Sequence, residues 1–75
     1  MEFDQLVDAS GLSCPLPLLR AKKAIAAMAA GSVIKILATD PGSIHDFEAF
    51  SNATGHVLLS SGQEDGRFVF LLRKV

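Results

Sequence analysis

The chain has 75 residues, 49% of them hydrophobic and 20% charged, and seven Lys and Arg against eight Asp and Glu give a formal net charge of -1. This composition excludes intrinsic disorder and the basic excess of a general nucleic-acid binder, and the length allows one small domain, residues 1–75, with a single two-layer core. One cysteine excludes an internal disulfide and a Cys-x-x-Cys redox pair, and the lack of a signal peptide or an 18-residue apolar run makes the expected location cytoplasmic.

Along the chain, Phe3 to Asp8 is an imperfect strand pattern, and Ala9-Ser10-Gly11 links it to Gly11-Leu12-Ser13-Cys14-Pro15-Leu16-Pro17. Gly11 is expected to supply backbone freedom close to Cys14. A helix is predicted from Pro15 to Ala30, because prolines in a first turn cost no internal hydrogen bond. Its apolar stripe is Leu18, Ala21, Ile25 and Met28, with Leu19 and Ala24 beside it, and Gly31 is the expected cap. Cys14 then stands at the positive end of a helix, where a thiol is expected to ionise below its free value of about 8.5.

Val33 to Ala38 reads as an interior strand reached by a right-handed parallel crossover. Asp40-Pro41 opens a second helix, with Asp40 as its cap and Ile44, Phe47 and Phe50 as its packing face, ending between Asn52 and Gly55. His56 to Ser61 is a short strand, Gly62 to Gly66 a polar five-residue turn, and Arg67 to Lys74 the last strand. Phe68, Phe70 and Leu72 alternate with Val69, Leu71 and Arg73, so both of its faces are apolar and a central position is predicted. The fold class is α+β, with order βαβαββ and both helices on one face of a four-stranded mixed sheet.

A single thiol serves as nucleophile, carrier, sensor or metal ligand. His45 and His56 have no sequence reason to lie near Cys14, which argues against a hydrolase. The ligand spacing of a metal site and the glycine-rich loops of a cofactor site are absent, so neither a metal nor a cofactor is expected. A carrier needs only an accessible sulfur and open approaches. With no resolving cysteine, a persulfide on Cys14 has to be discharged to an external acceptor.

Cys14-Pro15-Leu16-Pro17, preceded by Gly11-Leu12, resembles the Cys-Pro-x-Pro signature of the TusA-like (SirA-like) sulfur-carrier proteins. The resemblance continues through Asp8, Asp40-Pro41, Asp46, Gly55-His56 and Arg73-Lys74. It implies a fold similar to the C-terminal domain of translation initiation factor three, with strand order 1-2-4-3 and the last strand antiparallel. It implies that Cys14 accepts sulfane sulfur from a cysteine desulfurase or related transferase and relays it to an acceptor protein. The end use would be transfer RNA thiolation, molybdenum cofactor enzymes or sulfur oxidation. Asp8, Asp40 and Asp46 would maintain the active loop and second helix, and Arg20, Lys22, Lys23, Arg73 and Lys74 would be docking residues. Ser13 departs from the basic or polar residue often found at that position. No direct nucleic-acid contact, no membrane and a monomer or weak dimer are expected. The rival readings are an RNA- or ribosome-associated module and a regulatory protein-interaction adaptor. The neutral charge and the lack of Tyr and Trp argue against the first.

Overall fold

A computed structural model describes residues 2–75; Met1 lies outside the described residues. The chain runs β1 (Gln5–Ala9), α1 (Leu16–Ala26), β2 (Val33–Ala38), α2 (Gly42–Thr54), β3 (Val57–Glu64) and β4 (Arg67–Arg73). The strands form one sheet in the order β1-β2-β4-β3, with β1 and β2 parallel and β4 antiparallel to both its neighbours. The element order, the topology and the mixed sheet agree with the sequence reading.

The alternation of β2 sorts its side chains by face. Ile34, Ile36 and Ala38 are fully buried toward the helices, while Val33, Lys35 and Leu37 are half-buried on the other face. Ala21 and Ile25 of α1, Phe47 of α2, and Phe70 and Leu72 of β4 complete one core beneath the two helices. Phe47 stacks on Phe70 with ring centroids 4.6 Å apart, the geometry expected of an offset aromatic pair. β4 lies between β2 and β3, and Val69 and Leu71 are buried on the face away from the helices, as its doubly apolar pattern requires.

Three local expectations are corrected. First, α1 ends at Ala26, short of Ala30. Its last turn tightens, with the N–H groups of Ala27 and Met28 donating to the carbonyls of Ala24 and Ile25 at 3.1 and 3.0 Å. The chain is then drawn onto the end of the sheet, where Gly31 N–H donates to the Lys74 carbonyl and Lys74 N–H to the Ser32 carbonyl. Gly31 does adopt a left-handed conformation, but in the link and not at the cap. Second, the five-residue turn is a two-residue one. Gly62, Gln63 and Glu64 extend β3, and Asp65 and Gly66, both at positive φ, close the hairpin. Two positive φ values match the right-handed strand twist, so Asp-Gly suits this tight turn. Third, Leu19 and Ile44, assigned to packing faces, are exposed, and Phe47 and Phe50 carry the packing of α2 instead.

Lys74, expected at a docking surface, has a structural position. Its ammonium donates to the carbonyls of Ile25 and Met28 at 2.8 and 2.7 Å, satisfying acceptors that the end of α1 leaves unpaired. Lys74→Met removes both charge-assisted bonds and is expected to lower unfolding stability by about 1–2 kcal/mol. Urea denaturation followed by circular dichroism measures this; an unchanged midpoint would show that water replaces the ammonium at no cost.

Candidate functional site

The parallel strands β1 and β2 finish at the same end of the sheet, and both helices begin there. Ligand sites of open α/β sheets form at such carboxyl ends. Gly11, at φ 82, turns the chain out of β1, and its N–H donates to Thr39 Oγ1 at 2.8 Å. Leu12 N–H returns to the Ala9 carbonyl, while Ser10 N–H donates to Asp8 Oδ1 at 3.1 Å. Asp8 thereby closes the turn that carries the chain to the motif. Leu12 is half-buried.

Cys14 follows, exposed, and is joined to Pro15 by a cis peptide bond. Pro15 precedes the first residue of α1, and Pro17 is buried in its first turn. Two groups from beyond β2 hold the cysteine. Asp40 accepts the Cys14 N–H on Oδ2 and the Gly42 N–H on Oδ1, both at 2.8 Å, so one carboxylate caps α2 and fastens the motif loop to it. Asp46, on α2, accepts a hydrogen bond from the Cys14 thiol.

The expectation of an electropositive, readily ionised thiol is corrected. The Asp46 hydrogen bond, partial desolvation and the negative charges of Asp46 and Asp40 push the Cys14 thiol up to about 11. The helix start offers little to oppose them. Pro15 and Pro17 have no N–H, Leu16 N–H donates to the Ser13 carbonyl at 2.9 Å, and Cys14's own N–H is taken by Asp40. The prolines shape the backbone and, in doing so, remove two of the four donors that make a helix start an anion site.

Sequence reasoning missed Gly42 and Thr39. A β-carbon at Gly42 would lie 3.1 Å from Cys14 Cβ and 3.3 Å from Sγ, so glycine here gives the cysteine its room. The only local signal was glycine after Asp40-Pro41, and a turn of ordinary chemistry would look the same. The basic residues do not converge on the thiol. Arg20 and Lys23 border an open groove between β1 and α1 floored by Leu6, Val7 and Leu16, and Lys22 is exposed on α1. Arg73 pairs with Val33, at the start of β2, and so lies with Lys74 at the opposite end of the sheet from Cys14.

His56 is likewise away from the thiol; its Nδ1 accepts the Val75 N–H at 3.1 Å and its ring lies against Phe50. Among the described residues, no three His, Cys, Asp or Glu side chains are grouped to hold a metal ion, and no helix is long and apolar enough to cross a membrane.

Residues 5–74 match the family model described as sulfurtransferase TusA. The sulfur carrier protein TusA of Allochromatium vinosum is 56% identical over 73 residues, 97% of this chain and 96% of that protein. A putative sulfur carrier protein of Neisseria meningitidis is 52% identical over 69 residues, 92% of this chain and 93% of that protein. The crystal structure of the SirA-like protein from Desulfitobacterium hafniense superposes with a TM-score of 0.82 at 28% identity, covering 93% of this chain and 96% of that one.

Two predictions follow from the contacts around Cys14. Hydrogen bonds from the N–H groups of Cys14 and Gly42 hold the Asp40 carboxyl below its ordinary value of 3.8. A depressed folded-state value contributes stability that is complete above the unfolded-state value and lost as pH falls through the folded one. Asp40→Asn should therefore flatten the fall of the urea midpoint below about pH 4; an acid limb as steep as the wild type's would count against the bridge. Gly42→Ala should displace the Cys14 side chain by a few tenths of an ångström and move the Cys14 Cβ resonance, with small effects elsewhere in the amide spectrum.

Proposed function

The chain belongs to the TusA sulfurtransferase family and is a sulfur carrier that passes persulfide sulfur from a single reactive cysteine to a partner protein; from that premise we propose that Cys14 bears the sulfur and that a cysteine desulfurase or related transferase loads it. One observation carries the assignment. Cys14 is the chain's sole cysteine, and it is exposed at the end of the sheet where two helix starts frame it. The chain has no second cysteine to act as a resolving thiol, so the donor and acceptor supply the remaining chemistry.

The loading step conserves atoms and charge. Cys14 Sγ bonds to the outer sulfur of the donor persulfide as the donor's sulfur–sulfur bond breaks, and the proton of the Cys14 thiol goes to the departing donor thiolate. The products are a Cys14 persulfide and a donor thiol. Unloading repeats the exchange with an acceptor thiol, regenerating the Cys14 thiol.

Gly11, Leu12, Pro15 and Pro17 shape the loop in this reading, Asp8 closes its turn, and Asp40 and Asp46 tie it to α2. Arg20, Lys22 and Lys23 remain docking candidates on the exposed side of α1, whereas the distance of Arg73 and the engagement of Lys74 argue for structural duties at the far end. The relay is proposed to work in the cytoplasm without a resident cofactor, direct nucleic-acid contact or membrane, as a monomer or weak dimer. Its end use is transfer RNA thiolation, molybdenum cofactor enzymes or sulfur oxidation.

Incubation with a cysteine desulfurase and cysteine should add the mass of one sulfur atom to the intact protein, removable by reductant and abolished by Cys14→Ser. An unmodified wild-type chain beside a donor shown to be active would refute the assignment.

A further inference from the structure

The carrier chemistry requires an exposed sulfur but gives no reason for a carboxylate to be hydrogen-bonded to it. Thiol attack is carried by the thiolate, and an ionised neighbour in contact with the sulfur opposes its formation. The contact between Cys14 and Asp46 therefore works against reactivity in the empty protein.

We propose that Asp46 gates the sulfur: it holds the unloaded Cys14 as a neutral, hydrogen-bonded thiol, inert toward stray electrophiles and oxidants, until a docked donor displaces that bond. The proposal rests on Cys14 being the sulfur-bearing residue. An ionised carboxylate only accepts hydrogen bonds, so the bond from Cys14 Sγ to Asp46 exists only while sulfur keeps its proton. Asp40 fixes the backbone beneath the sulfur, and the bare α-carbon of Gly42 leaves Sγ the space it occupies beside α2.

The charges facing Cys14 are all of one sign. Asp46 from α2 and Asp40 from the β2–α2 link both disfavour the thiolate. The remaining titratable groups at the start of α2, His45 and Glu48, are exposed, as are Arg20, Lys22 and Lys23 of α1. Exposure excludes steric shielding as the source of protection.

Loading reverses the sign of the contact. Once Sγ is bonded to a second sulfur it has no proton to donate, and an ionised outer sulfur is repelled by the carboxylates that had retained the thiol. The same pair restrains the empty side chain and drives the loaded one outward, toward an acceptor.

The test is alkylation of the full chain by iodoacetamide as a function of pH, read by intact mass. The wild type should show a rate midpoint near 11, and Asp46→Asn should move it down toward the unperturbed 9.0. At neutral pH a complete return to 9.0 would raise the thiolate fraction about 100-fold and, allowing for the lower nucleophilicity of a less basic thiolate, the rate about 10-fold; desolvation and Asp40 persist in the variant, so the gain is expected to fall below these limits. A purely structural role for Asp46 would leave the midpoint in place. The wild type in concentrated urea gives an internal control that does not depend on the variant folding: its midpoint should fall to the free-thiol range. Equal midpoints for native and unfolded chains overturn the gate. A chain that loads from the desulfurase yet shows the free-thiol midpoint loses only the gate, whereas one with the high midpoint that never loads loses the carrier assignment.

Discussion

Asp40 is the contact on which the site depends. Its two carboxylate oxygens take backbone N–H groups from Cys14 and Gly42, which are 28 positions apart and belong to the starts of different helices. A side chain that capped only its own helix would leave the motif loop tied to the fold by Gly11 and the proline turn. By sharing its two oxygens, Asp40 converts two loop ends into one frame, within which Asp46 meets the sulfur and Gly42 leaves it room. Charge-assisted bonds from backbone donors are among the stronger neutral-pH contacts available to a small domain.

The rest of the fold serves to bring those two loop ends together. Parallel pairing of β1 with β2 places their carboxyl ends side by side, and the two helices return over one face on the shared core of Ile34, Ile36, Phe47, Phe70 and Leu72. At the other end of the sheet, Lys74 binds the carbonyls that close α1, while His56 receives the last N–H of the chain. The cationic end of the chain thus steadies the helix whose other end bears the cysteine loop. Structural polar contacts secure both ends of the sheet, Lys74 and His56 at one and Asp8, Thr39 and Asp40 at the other, and the sulfur lies at the second.

The electrostatics of Cys14 show how a local rule is outweighed. A helix start acts as roughly half an elementary charge spread over its free donors. Here two of those positions are proline, a third donates to Ser13, and a full negative charge on Asp46 is in hydrogen-bond contact with the sulfur. Contact with a whole charge outweighs a partial charge most of whose donors have been removed or engaged. The thiol is consequently quiet in the empty protein, a property suited to a carrier that has to keep its cargo for a chosen acceptor.

The sequence by itself determined the order of the elements, the central place of β4, the aromatic packing of α2 around Phe47 and the singularity of Cys14. These depend on periodicity, proline and glycine chemistry and residue counts, all of which act within a few neighbours. It also carried the capping role of Asp40, which reaches only to Gly42. What only the tertiary structure decided joins residues far apart in the chain: Lys74 binding the carbonyls at the end of α1, Asp40 reaching across to Cys14, Gly42 making space beside the sulfur, and Asp46 suppressing the ionisation that the helix start alone would favour. Local propensity specifies each segment's geometry, but the proton on Cys14 answers to charges that the fold brings in from 26 and 32 residues away.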